Sequence, residues 1–270
     1  MPELAEVDFF RKRWNPGLGH KIERVLVHEK AGIFKTCDPA LLKKHLTGAS
    51  LRSSETAAKQ MLFRAGDDLW LGIHLGMTGE LSVQPANYVP LKRDHLVLIQ
   101  HDRALVFADF RMFGRVQFHV GSAAPDWWTD IAPAVLSPAF TTEVVAAFLK
   151  RRARTPIKAV LLMQERFPGI GNWMADEILW RAALHPKRLA GSLTPSEIKT
   201  LHRETRWVAE HAFKIIGDAD SPTLVDPPKT WLFPHRWENG GQCPKTGALL
   251  VREEVGGRTT CWSPARQKLR

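Results

Sequence analysis

The sequence predicts an α+β protein. A β-rich first half led by one helix is followed by a helical second half and a β-hairpin tail. Three observations carry this. Short apolar runs separated by turn signals fill most of residues 20–120. Helix-period segments follow from about residue 142. Near the end, Gly256-Gly257 separates two strand-like runs, as in a tight hairpin.

In order, residues 2–14 read as a helix. Pro2 suits its first turn, Glu3 and Glu6 complement the positive end, and Asn15-Pro16-Gly17 stops it. Strands are expected at 21–28, 58–64, 69–75, 80–83, 95–100, 104–108 and 115–119, with a short helix at 41–46. Residues 121–138, with Gly, Pro and two adjacent Trp, read as a linker. Helices are expected at 142–150, 156–164, 173–183 and 195–216. Thr194, Pro195 and Glu197 form a capping-box signature for the last. A polar loop with three prolines spans 217–229, and 249–255 with 258–262 make the hairpin. The expected divisions are therefore 1–120, the linker, 139–229 and 230–270.

The 270 residues carry 38 Lys+Arg against 28 Asp+Glu, a formal charge of +10. Hydrophobic residues make up 44%, enough for a packed core, which argues against disorder. No apolar run approaches the length of a membrane span, and M-P-E-L-A-E lacks the basic start of a signal peptide. Three cysteines, Cys37, Cys243 and Cys261, cannot build a disulfide framework, so a reducing, cytoplasmic setting is expected. The excess charge is uneven. Residues 1–150 hold 18 basic and 16 acidic residues, residues 151–270 hold 20 and 12. A polyanionic partner fits this, and so does a basic solvated surface.

Pro2 carries the most distinctive chemistry. Once Met1 is removed, it presents a secondary amine, and an α-amino group with a pKa of roughly 8 is partly neutral near pH 7. Such an amine can attack a sugar C1′ and form an iminium, with Glu3 adjacent as a general acid/base. A proline that only starts a helix is the plain alternative.

Several segments sharpen the choice. The start M-P-E-L-A-E-V, the run Ala58-Lys59-Gln60-Met61-Leu62, and His74-Leu75-Gly76-Met77-Thr78-Gly79 are followed by Asp109-Phe110-Arg111-Met112-Phe113-Gly114 and by Gly169-Ile170-Gly171-Asn172 running on to Asp176-Glu177. With the tail G-G-R-T-T-C-W-S-P-A-R-Q, they resemble, in order and across nearly the whole chain, the formamidopyrimidine-DNA glycosylase/endonuclease VIII family. The resemblance implies a β-sandwich domain with an N-terminal helix, a helix-two-turn-helix DNA-binding domain and a C-terminal finger. It implies excision of oxidised bases from duplex DNA, then β,δ-elimination at the abasic site.

The resemblance assigns roles by residue. Pro2 is the nucleophile. Glu3 assists ring opening and later proton transfers, and Glu6 supports the amine or the lesion pocket. Lys59 holds a phosphate or stabilises charge beside the lesion. Met77, Arg111 and Phe113 match the residues that fill the void left by a flipped nucleotide. Met77 and Phe113 taken singly would also suit a core, but both neighbour Gly-rich turns. Phe110 and Met112 depart from the family's usual Pro and Arg. The glycines before Asn172 suit phosphate binding at a helix N-terminus, with Asn172 adding a side-chain donor. Glu177 either shapes the lesion pocket or is a structural helix acid.

The finger departs most. The family's two C-x-x-C pairs around zinc are reduced here to Cys243. Ser263 and Arg266 stand where two ligands would be, and Cys261 falls two residues early. No metal and no cofactor are expected, since two thiols cannot supply a four-ligand zinc site; His235 is poorly spaced to add a third ligand. Trp231, Phe233, Trp237 and Trp262 are candidates for a substitute apolar core. Arg258 is expected to reach a phosphate beside the lesion. The expected partner is damaged double-stranded DNA, bound by a monomer with no membrane association, nucleoid-associated in a bacterium. A non-catalytic damaged-DNA binder on the same scaffold is the alternative, and an RNA-binding protein a third reading. Pro2, Glu3 and Lys59 together favour the enzyme.

Overall fold

The computed structural model describes residues 1–269. The chain forms two compact units, Met1–Pro2 with Glu6–Ile131, and Glu3–Ala5 with Ala132 onward.

The first unit contains helix α1 (Leu4–Arg13) from Glu6 onward, helix α2 (Pro39–Leu46) and the short helix α3 (Asp126–Thr129). Its eight strands are β1 (Arg24–Val27), β2 (Leu51–Ala57), β3 (Gln60–Ala65), β4 (Leu69–His74), β5 (Gly79–Pro85), β6 (Asp94–Ile99), β7 (Arg103–Asp109) and β8 (Arg115–Val120). They make two antiparallel four-stranded sheets, ordered β1-β6-β7-β5 and β2-β3-β4-β8. One core joins them. Phe63, Leu71 and Ile73 from one sheet meet Leu81, Leu98 and Phe107 from the other, with Leu42 and Leu46 of α2. Trp14, fully buried just after α1, donates its indole N–H to the carbonyls of Ser82 (3.2 Å) and Val106 (3.3 Å). That bond satisfies the one polar atom of a large buried ring.

Three local outcomes differ from the sequence reading. The helix begins at Leu4, leaving Pro2 and Glu3 ahead of it. Strand β2 (LRSSETA) has mostly polar side chains at the edge of its sheet, beside β3, so it gives no apolar signal. Lys59 lies in the β2–β3 turn rather than inside a strand; Ala58 takes φ +55° to let Ala57 face Gln60.

The second unit holds helices α4 (Thr142–Arg151), α5 (Ile157–Leu161), α6 (Asn172–Arg181) and α7 (Pro195–Ala212), with the hairpin of β9 (Val251–Val255) and β10 (Arg258–Trp262). Thr141 caps α4, and the Thr194–Glu197 capping box starts α7. The segment expected as one helix to residue 164 is helical only to Leu161 and then turns twice before α6. Helix α6 is the centre of the unit, since Trp173 through Trp180 are all buried.

Around the hairpin, Trp180, Leu232, Cys243, Leu250 and Cys261 form one apolar cluster, and Trp180 Nε1 donates to Cys243 Sγ at 3.3 Å. The aromatic set expected here does other work. Trp231 packs on Trp173 and Trp207, and Phe233 on Trp173 and Trp237. Trp262 sets its ring against His185 and donates to Glu253. The donor set does not fit zinc. Among the described residues no three His, Cys, Asp or Glu side chains converge, and His235 bonds the Lys229 carbonyl.

Candidate active site

In the first unit, Pro2 is half-buried ahead of α1, and Glu6 is half-buried in the first turn of that helix. Lys59 is buried in its turn. The register pairs its neighbour Gln60 with His74, at the end of β4. His74 Nδ1 accepts the Gly76 N–H at 3.0 Å. Burial, with Arg115 and Lys59 nearby, lowers the His74 pKa to about 4. The ring is therefore neutral at pH 7 and keeps Nε2–H as a donor. His74 stands in the His74–Gly79 segment, where no local signal marks its role.

Two loops carry the void-filling candidates. Met77 lies between β4 and β5, and Arg111 and Phe113 lie between β7 and β8. The loops touch through Gly76, which has φ +61°. A Cβ there would lie 2.4 Å from the Phe113 carbonyl carbon, so only glycine allows the approach. The buried Asp109 carboxylate organises both loops. It accepts from Thr78 Oγ1 (2.6 Å), Arg111 N (3.2 Å) and Gly114 N (2.7 Å). Met77 (44%) and Phe113 (56%) are exposed, and the Arg111 guanidinium stacks over the Phe113 ring at 4.7 Å. Exposed aromatic and thioether groups on a braced loop pair are suited to inserting between bases, not to core packing. Phe110 and Met112 are also exposed, and Met112 sits at φ +54°.

In the second unit, Glu3 is buried and its carboxylate faces the N-terminus of α6. It accepts the backbone N–H groups of Gly171 (2.8 Å), Trp173 (2.9 Å) and Met174 (3.1 Å). The phosphate cradle expected at this helix end is thus occupied by the chain's own anion, which the helix N-terminus stabilises in the same way. Asn172 differs too. Its Nδ2 donates to the Thr259 carbonyl at 2.8 Å, so its amide holds the hairpin. Arg258 opens β10 and is exposed, as a phosphate-reaching residue must be.

Glu177 is fully buried, and Oε2 accepts the Leu232 N–H at 2.7 Å. Burial raises its pKa to about 7, against bonds from Leu232 and Phe233 and the charge of Arg181. This carboxyl caps the 231–233 backbone, as the structural reading of Glu177 expects. Asp109, Asp176 and Arg236 were missed as organisers. Asp109 and Asp176 lie inside recognised motifs, whereas Arg236 has no local signal.

The family model for the formamidopyrimidine-DNA glycosylase N-terminal domain matches residues 1–116, and that for the H2TH domain of the same enzymes matches 131–221. A formamidopyrimidine-DNA glycosylase of Symbiobacterium thermophilum is 39% identical over 99% of this chain and 89% of its own. One from Laribacter hongkongensis is 34% identical over 99% and 100%. A crystal structure of the Lactococcus lactis enzyme with DNA containing an oxidised pyrimidine superposes with a TM-score of 0.90 at 27% identity, covering 99% of this chain and all of that one. The same enzyme bound non-covalently to DNA with an abasic site gives 0.86 at 26%, with the same coverage. The fold and the sequence together define a DNA-repair glycosylase scaffold. This chain belongs to the formamidopyrimidine-DNA glycosylase family.

Proposed function

We propose that the chain is a bifunctional DNA glycosylase and abasic-site lyase of base excision repair, acting on oxidised bases in duplex DNA. The observation that carries this reading is Glu3. A buried carboxylate held by three amide donors directly follows the residue whose amine is freed when Met1 leaves. A carboxylate so fixed is suited to proton transfer at a sugar ring.

The chemistry then follows from the residues. The Pro2 nitrogen bonds to C1′ of the damaged nucleotide, the bond from C1′ to the base breaks, and the departing base takes a proton from water. The Glu3 carboxylate takes the proton that the Pro2 nitrogen sheds and passes it to the ring oxygen as the C1′–oxygen bond breaks, which leaves an iminium between Pro2 and C1′. Loss of a C2′ proton expels the 3′ phosphate, a second elimination expels the 5′ phosphate, and water releases the sugar fragment from Pro2. Glu6 supports the amine. Lys59, with the neutral His74 beside it, binds a phosphate flanking the lesion.

Met77, Arg111 and Phe113 enter the stack where the base was, with Arg111 hydrogen-bonding the orphaned partner. Arg258 binds the backbone, and Asn172 contributes by holding the hairpin that carries it. The basic excess after residue 150 strengthens the grip and makes it salt-dependent. No helix among the described residues is long and apolar enough to cross a membrane. The reading places a monomer in the cytoplasm, at the nucleoid in a bacterium.

Structures of the Lactococcus lactis enzyme with an oxidised pyrimidine, and of a mutant of it with a formamidopyrimidine lesion, support action on both lesion classes. Single-lesion duplexes, with each opposite base in turn, test the reading. Release of at least one oxidised base with strand cleavage is expected. Binding without release of any base would contradict it.

A further inference from the structure

Helix α6 grips the outer edge of the hairpin at two points. Asn172 Nδ2 donates to the Thr259 carbonyl (2.8 Å), and Asp176 Oδ2 accepts the Cys261 N–H (3.0 Å). The spacing explains why two points suffice. Residues four apart on a helix are separated by about 6 Å along its axis, and residues two apart on a strand by about 6.5 Å. The side chains at 172 and 176 therefore meet the outward backbone groups of 259 and 261 in register. The other edge of β10 pairs with β9. The hairpin turn is fixed as well, because a Cβ on Gly256 would lie 2.7 Å from Ala159 Cβ on α5.

Asp176 is itself held by two buried cations. Lys158 Nζ bonds its Oδ1, and Arg236 bonds Oδ2 through Nε (3.2 Å) and Nη2 (2.6 Å). Lys158 also donates to the Asn172 carbonyl at 2.7 Å, so one ammonium joins both gripping residues. Asp176 is fully buried within this network. It does not face solvent, where DNA would be. It nevertheless fixes the strand whose first residue is Arg258.

We infer that Asp176, aligned by Arg236 and Lys158, is a positioning residue that sets the register of the hairpin and acts on DNA through Arg258. The inference rests on the function proposed above. It separates the finger's DNA contact, made by an exposed arginine, from the device that aims it, a buried carboxylate reading the edge of a strand. In a finger whose residues do not fit zinc, this network supplies the fixing points.

A double-mutant cycle tests it. The full chain, freed of Met1, is titrated with a duplex carrying a stable abasic-site analogue at several salt concentrations. Arg258→Ala is expected to weaken binding and to reduce the salt slope by about one, the value of one phosphate contact. Asp176→Asn is expected to weaken binding about tenfold with the same loss of slope, and the double variant to bind no worse than the weaker single. Arg236→Lys keeps the charge beside Asp176 but loses the two-point grip, and serves in the same cycle if Asp176→Asn does not fold. Losses that multiply in the double variant, or a salt slope unchanged by Asp176→Asn or Arg236→Lys, would overturn the inference. Wild type that ignores the lesion duplex would instead sink the functional reading on which it rests.

Discussion

The Glu3 carboxylate and Gly171 are in such close contact that a Cβ on the glycine would lie 2.3 Å from Glu3 Cδ. The obstacle is the body of the side chain that accepts three amide bonds, so it cannot move aside without losing them. Gly171→Ala is therefore expected to dislodge Glu3 while leaving the fold intact. Base excision in single turnover should fall about 100-fold, the lower end of the usual general acid/base contribution. A Gly171→Ala variant excising at the wild-type rate would show that this carboxylate is not placed for catalysis.

Asp109 joins the two loops proposed to enter the DNA stack, and its loss should be felt as binding. Asp109→Ala leaves the Gly114 N–H without its acceptor, at a cost of about 1–3 kcal/mol where it stays buried, and frees the Thr78 hydroxyl, to which the Arg111 N–H also donates at 3.1 Å. Loosened loops should lower affinity for an abasic-site duplex about tenfold and affinity for undamaged duplex much less, because only the former has a void to fill. Equal losses on both duplexes would separate Asp109 from void filling.

Glu177 gives the fold a pH dependence. Its pKa is raised from 4.5 to about 7, so the folded chain holds a proton that the unfolded chain releases. The stability this carboxyl contributes is complete below about pH 4.5 and declines as pH rises through about 7. The decline is on the order of 3 kcal/mol. Glu177→Gln cannot ionise, so denaturant melts between pH 5 and 8 should show a flatter profile than wild type, with the variant gaining relative to wild type at the alkaline end. Parallel profiles would mean that Glu177 ionises normally.

The finger should be indifferent to chelators. Cys243 Sγ accepts from Trp180, and the cluster around both is apolar. Excess chelator is expected to leave the melting temperature and DNA affinity unchanged, whereas Trp180→Phe should cost about 1 kcal/mol through the lost donor. A chelator-induced fall in melting temperature would reveal a metal the donor set does not account for.

Much of the molecule was legible because its signals are local. The Thr194–Glu197 box, the Gly256-Gly257 turn and the apolar runs of β6 and β7 each announce their element within a few residues. Strand β2 was not legible, because a strand at the edge of its sheet has little need of apolar side chains. The site divides the same way. Pro2, Lys59, Met77 and Arg258 stand in recognisable motifs. What Glu3 and Asn172 bond to depends on partners 168 and 87 residues away, which no local pattern encodes. The helix N-terminus is expected from its glycines to take a phosphate, whereas its N–H groups hold the Glu3 carboxylate of the chain itself.

The amine of Pro2 is expected to form a covalent iminium with the sugar of a damaged nucleotide. Borohydride trapping tests it most directly, using chain freed of Met1 and a duplex with one abasic site or oxidised base. Reduction should yield a stable one-to-one protein–DNA adduct, with the link mapped by mass spectrometry to Pro2. N-terminal acetylation should abolish it, and Pro2→Gly, which replaces the secondary amine with a primary one, should weaken it. No adduct from the freed chain, or an adduct mapped to Lys59 or another lysine, would contradict the account.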